Sequence, residues 1–152
     1  MRYANVFKTF LVVLTLLCFT VPAFGAWTTS SAWRPNMDFH IGILAITWTE
    51  DASASGDESM TTPNIDGHVY MVVTDPGSPA PDAYDLTLKD SDGADIMEGA
   101  IVNASATATE QWATTIGGSP MGRFVKGTLT VNMTNQATNS ASGTIIIYIY
   151  RE

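Results

Sequence analysis

Three aspartates form the most compact group of chemically active side chains in the chain. Asp90, Asp92 and Asp95 follow the pattern D-x-D-G-x-D. Hard oxygen ligands at alternating positions of a glycine-containing turn are typical of Ca²⁺ sites. The spacing differs from an EF-hand, because Ile101 occupies the place of the closing bidentate acid. Two interpretations stay open, a Ca²⁺ site and a turn stabilised by Asp side chains.

The tryptophans are a second candidate group, because aromatic ring faces bind sugars by stacking in carbohydrate-binding sandwich proteins. Packing in a core or an interface is the commoner use of the residue. Both interpretations, contact with a glycan or protein partner and structural packing, apply to the same four residues, Trp27, Trp33, Trp48 and Trp112.

The remaining residue types favour a protein without a catalytic site. His40 and His68 are the only histidines, and neither has a partner at the spacing of a metal site. No G-x-S-x-G motif is present to place a nucleophilic serine. We therefore expect a non-enzymatic protein with no cofactor other than the Ca²⁺ considered above.

Alternating apolar and polar residues predict short β-strands as the elements that position these groups. The spacing of the strands, with Gly, Pro, Asn and Asp between them, predicts an all-β fold, an antiparallel β-sandwich or jelly-roll-like arrangement. Helix is expected to be nearly absent after the N-terminal segment. The clearest strand predictions are Asp38–Thr49, Gly67–Thr74, Tyr84–Lys89, Lys126–Asn132 and Thr144–Tyr150.

The same patterns indicate a hairpin, a doubly buried strand and two contact loops. The turn at Asp90–Gly93 predicts a hairpin that joins the strand Tyr84–Lys89 to a return strand at Ala94–Met97. Strand Asp38–Thr49 is apolar on both faces, which predicts burial on both sides near its centre. Two segments of loop composition are expected to contact partners, Glu50–Asp66 and Asp75–Asp82.

The N-terminal segment has the pattern of an export signal. Arg2 and Lys8 precede the apolar run Phe10–Val21, and small residues then allow cleavage after Gly25. We expect residues 1–25 to form a hydrophobic signal helix, with a retained hydrophobic anchor as the alternative. Residues 26–152 are expected to form a single β-sandwich domain. The protein is then exported to the periplasm or the medium, or carried on a virion.

Charge and cysteine content exclude several classes of partner and site. Residues 26–152 contain five basic and fifteen acidic residues, a formal net charge of −10, which disfavours nucleic acid and anionic lipid. Cys18 is the one cysteine and lies in the leader, so a cleaved chain has no disulfide or thiolate site. Asn103 and Asn132 begin glycosylation sequons, which matter only in a host that glycosylates exported proteins.

The segment Pro63–Tyr150 resembles small β-sandwich structural proteins encoded by tailed bacteriophages. The most specific part is the block YDLTLKDSDGADI, which begins at Tyr84. The other resembling stretches are Gly67–Tyr70, Pro81–Ala83, Ser105–Gln111 and Gly143–Tyr148.

The resemblance implies a non-enzymatic virion component that decorates a capsid or tail structure. It implies protein partners in a repeating assembly, with homo-oligomer formation open, and it transfers no catalytic residues. The export signal is a departure from the pattern, since phage structural proteins are assembled in the cytoplasm. The alternatives are a secreted glycan-binding module and a Ca²⁺-dependent adhesive module.

Overall fold

The computed structural model describes residues 26–33, 40–50, 57–115 and 122–151, and it contains no helix within these ranges. It follows that no helix in the described ranges is able to cross a membrane. The predicted signal helix and its cleavage point lie outside them. The described strands are β1 Ala26–Trp33, β2 His40–Thr49, β3 Glu58–Thr61, β4 Ile65–Pro76, β5 Asp85–Lys89, β6 Glu110–Ala113, β7 Arg123–Gly127, β8 Thr130–Thr134 and β9 Ser142–Arg151.

The strands form two antiparallel sheets, which confirms the all-β prediction. The large sheet has the order β1-β2-β9-β4, and β7 and β6 occupy successive parts of the far edge of β4. The small sheet has the order β3-β8-β5. Strands distant in sequence therefore lie side by side, as β9 does between β2 and β4.

The two sheets share one hydrophobic core. Alternate residues along each strand point inward, because successive side chains of a strand lie on opposite faces. In the large sheet this places Ile46 of β2 and Ile147 of β9 in the core, both fully buried. The small sheet contributes Leu88 of β5 and Val131 of β8 to the same cluster.

The predicted hairpin at Asp90–Gly93 is wrong in its second half. Ala94–Met97 forms turns rather than a strand, and a single bridge between Lys89 and Asp95 is all that pairs with β5 there. The reason is the Asp95 carboxylate, which accepts hydrogen bonds from three backbone N–H groups and curls the chain around itself. The partner of β5 is β8.

Two other boundaries differ from the sequence patterns. The predicted loop Glu50–Asp66 contains strand β3 and the start of β4, with residues 51–56 outside the described ranges. The predicted strand Lys126–Asn132 is divided between the sheets. Gly127, at φ 118°, ends β7 in the large sheet, and β8 begins at Thr130 in the small one.

Burial of β2 is one-sided. Leu44, Ile46 and Trp48 are buried, whereas Ile43 and Ala45 on the opposite face are only half-buried. The prediction of burial on both faces is therefore wrong for the described residues. An apolar outer face at the centre of a sheet is unusual for a monomeric antiparallel sandwich, whose outer face is normally polar.

Candidate interaction surface

The outer face of the large sheet carries rows of apolar and aromatic side chains. The first row crosses four strands in register and contains Ile41, Tyr150, His68 and Phe124. The second row contains Ile43, Tyr148 and Met71, and the third Ala45, Ile146 and Val73, of which Val73 is already buried. We call these three rows, together with Tyr70, the aromatic face.

Its first row is also the most exposed. Phe124 is 58% exposed and Tyr150 36%, and the only other large apolar side chain exposed to this degree in the described ranges is Val102. The His68 and Phe124 rings lie side by side with centroids 5.2 Å apart. Exposed neighbouring aromatic side chains on a rigid sheet are characteristic of binding surfaces.

A β-bulge adds Tyr70 to the aromatic face. The pairing register between β4 and β9 shifts between Val69 and Met71. Thr114 holds the bulge, because its hydroxyl donates to the Val69 carbonyl at 2.6 Å and its N–H to the Tyr70 carbonyl at 3.1 Å. The Tyr70 ring thereby meets the Tyr148 ring at 5.9 Å. Burial, and then the neighbouring Tyr148, raise the pKa of Tyr70.

The outer face of the small sheet is polar by contrast. Asn132 lies at its centre and donates from Nδ2 to the Thr87 hydroxyl at 3.2 Å. This sequon asparagine is thus half-buried in a strand, whereas Asn103 is exposed in a turn at φ 52°. The remaining outward residues of this sheet are Ser59, Thr61, Asp85, Lys89, Thr130 and Thr134.

The three candidate calcium ligands are engaged differently. Asp95 accepts from the N–H groups of Leu88 and Met97 through Oδ1, and from that of Gly99 through Oδ2 at 2.7 Å. Asp90 accepts from two N–H groups of its own turn, and Asp92 is exposed. No group of three potential metal ligands is assembled among the described residues. The calcium interpretation stays a prediction, and the turn interpretation accounts for the contacts of Asp90 and Asp95.

We expect Asp95→Ala to lower the free energy of unfolding by about 2–3 kcal/mol, because three backbone N–H donors beside a buried strand lose their acceptor. Asp92→Ala, its matched control, is expected to change stability by less than about 0.5 kcal/mol. Urea unfolding of both variants, with EDTA and with added Ca²⁺, makes the comparison. A Ca²⁺-dependent gain in stability that both substitutions remove would contradict the turn interpretation.

The candidate tryptophans are not gathered in one place. Trp48 is fully buried in the core, edge-on to Tyr84 at a centroid distance of 5.6 Å. Trp112 is half-buried against the core, and its Nε1 donates to the Thr74 hydroxyl at 3.3 Å. Trp27 and Trp33 lie on β1, opposite Trp48 and Gly42 in register, and their side chains are outside the described part. His40 begins β2, with its side chain likewise outside it.

Tyr84 gives the core a titratable group. Burial raises the pKa of its hydroxyl to about 12, Thr74 lowers it in part, and Glu110 and Asp75 raise it further. Thr74 is near, yet the Tyr84 hydroxyl has no hydrogen bond of good geometry within the described ranges. The group therefore stays protonated in the folded protein at pH values where an unfolded tyrosine, at a pKa of about 10, ionises.

We expect stability to fall between pH 10 and pH 12 because of Tyr84. Because the pKa of Tyr84 is higher in the folded than in the unfolded protein, its contribution to stability is complete below the unfolded pKa. That contribution is lost as pH rises through the folded pKa. Two pKa units correspond to about 2–3 kcal/mol. Tyr84→Phe should remove this part of the alkaline loss and leave stability at pH 7 within about 1 kcal/mol, since it deletes a poorly bonded buried hydroxyl. Chemical unfolding at pH 7 and across the alkaline range tests both statements; an unchanged alkaline loss in the variant would contradict them.

Comparison with known proteins gives weak structural likeness only. No protein-family model and no curated protein matches the chain. The enzymatically active domain of tailspike protein 4 of bacteriophage CBA120 aligns with a TM-score of 0.33 and 12% identity, over 82% of this chain and 19% of that chain. The structure of the infectious bursal disease virus Gx strain aligns with a TM-score of 0.32 and 14% identity, over 83% of this chain and 32% of that chain. This chain thus spans a third or less of either viral protein, and alignments at these TM-scores place it in no family.

Proposed function

We propose that the chain is a non-enzymatic structural module of a virus particle, exported or associated with a membrane during assembly, that acts by binding protein partners in a repeating lattice. The virion assignment is supported by the sequence resemblance of Pro63–Tyr150 to sandwich proteins of tailed phages. The observation that carries the contact mechanism is the aromatic face, with Phe124 58% exposed on a paired strand.

The polar surface of the protein supports the same function. The chain carries a formal net charge of −8, so most of its surface repels other acidic proteins and nucleic acid. Stable contact then needs a neutral apolar surface, and the aromatic face supplies one.

The loop Asp75–Asp82 offers a second contact region. It is held against β9, because Gly77 N–H donates to the Ser142 carbonyl and Ser142 N–H to the Pro79 carbonyl.

The proposal is tested on particles of the virus that encodes the chain. Purified particles are analysed by mass spectrometry, and the copy number is measured against the major capsid protein. We expect the chain in a fixed ratio that survives density-gradient purification. Its absence from particles, with the protein abundant in the culture medium, would contradict the proposal. The N-terminal sequence of the same material tests cleavage after Gly25.

A further inference from the structure

We propose that the aromatic face binds a second copy of this chain, so that the protein forms a symmetric dimer by stacking two large sheets. The inference builds on the proposed function, because it names one partner of the contact surface. Three properties support a second copy: the area of the whole outer face, the charge of the aromatic face and the order of its rows.

The area of the outer face matches what a stable dimer needs. Along most of the large sheet five strand positions lie side by side, since β7 and β6 together fill the fifth, and the central strands β2 and β9 are ten residues long. With a spacing of about 4.8 Å between strands and a rise of about 3.3 Å per residue, the whole outer face measures roughly 800 Å², and the aromatic face is its apolar part. A standard protein interface buries about 800 Å² on each partner.

The charge of the face allows two acidic copies to approach. None of the residues in its three rows is an aspartate or glutamate, although the chain contains fifteen acidic residues. At the rim, Asp66 of β4 lies opposite Lys126 of β7, so both signs are present. A basic protein would bind more favourably to the acidic surface elsewhere on the chain. The aromatic face is neutral and apolar, so the same face of a second copy complements it.

The rows are self-complementary about an axis along β9. Polarity changes along the strands, from the aromatic first row to Thr47, Thr144 and Asp75 beyond the third. A two-fold axis parallel to β9, the central strand, places apolar rows on apolar rows and threonines on threonines. Two sheets then pack in the aligned manner, about 10 Å apart. Tyr150 of one copy lies near Tyr150 of the other.

Sedimentation velocity of the full chain, over a roughly hundredfold range of concentration, measures the association. We expect a dimer. Tyr150→Glu and Tyr150→Lys each place two like charges near the axis, and each should weaken association about tenfold or more. An equimolar mixture of these variants should recover the dimer, because opposite charges then meet. Val102→Glu is the matched control, because Val102 is 49% exposed and lies beside β5 of the small sheet, where the neighbouring Ile101 carbonyl accepts from the Leu86 N–H. This variant should associate as the wild type does.

Several results would overturn the inference. A monomeric wild-type chain would do so. The aromatic face would then have an occupant other than a second copy, such as residues 1–25 or a protein of the particle. Dimers of both Tyr150 variants as stable as the wild type would also do so, and a mixture that stays monomeric would overturn the axis along β9. Phe124→Glu is the second test should the Tyr150 variants unfold, because Phe124 is more exposed. Failure here leaves association with particles to its own test.

Discussion

Replacing Trp48 with alanine is expected to lower the free energy of unfolding by about 3–5 kcal/mol, the usual loss for a large aromatic side chain in a core. Trp48 is fully buried on β2, and its ring meets Tyr84 edge-on at an interplanar angle of 75°. It also lies directly on Gly143, where an added Cβ would come within 2.8 Å of the indole. The ring thus fills a space that β9 leaves open for it.

This prediction separates the two interpretations of the tryptophans. A sugar-binding tryptophan is exposed, and its loss lowers affinity while stability hardly changes. Trp112→Ala is the matched control, because Trp112 is only half-buried; we expect a loss of about 1–2 kcal/mol. Urea unfolding at one fixed protein concentration measures both variants, since association would otherwise shift the midpoint. A loss below about 1 kcal/mol for Trp48→Ala would contradict the core assignment.

The strands of this protein were predictable where one face is buried. In β9, Ile145, Ile147 and Ile149 alternate with less buried residues, and this period of two identifies the strand directly. The same period in Tyr84–Lys89 predicted β5. Which strands pair was not predictable, because β5 pairs with β8 across more than forty residues, and no local pattern states that distance.

Two segments differ from the sequence prediction for local physical reasons. In the sequence Asp95 is one of three acids in a turn. Its carboxylate accepts from three backbone N–H groups, and these bonds hold the following residues in turns where a return strand was expected. Thr62 has a similar role in the predicted loop. Its buried hydroxyl accepts from the Leu129 N–H at 2.9 Å and fixes the segment after β3. Side-chain contacts to distant backbone groups of this kind leave no periodic signal.

The aromatic face was partly visible in the sequence. Both sides of Asp38–Thr49 and of Thr144–Tyr150 are apolar, which is unusual for a sheet with one face in water. Taken alone, this pattern predicts burial on both sides. The pattern does not reveal the bulge at Tyr70 or the register that brings Phe124 beside His68, since both arise from pairing between distant strands. The apolar composition was thus a signal of a surface rather than of a second core layer.

The second large effect is expected at Gly67, at the edge of that face. Gly67→Ala should lower the free energy of unfolding by about 2–4 kcal/mol. Gly67 has φ 155°, and an added Cβ would lie 2.5 Å from the Tyr150 carbonyl oxygen and 2.9 Å from Cγ2 of Ile149. Backbone atoms of a central strand cannot move aside without breaking the pairing between β4 and β9, which here joins His68 to Tyr150.

Gly93→Ala is the matched control, because Gly93 has φ 83° but nothing lies within 4 Å of its added Cβ. It should cost only the backbone strain, about 1 kcal/mol. Urea unfolding of the two variants at equal protein concentration isolates the steric part of the Gly67 effect. Equal losses would mean that β4 and β9 are not in close contact at this register. If the losses differ as expected, Gly67→Ala should also weaken self-association, because the displaced strand carries Tyr150 and with it the first row of the aromatic face.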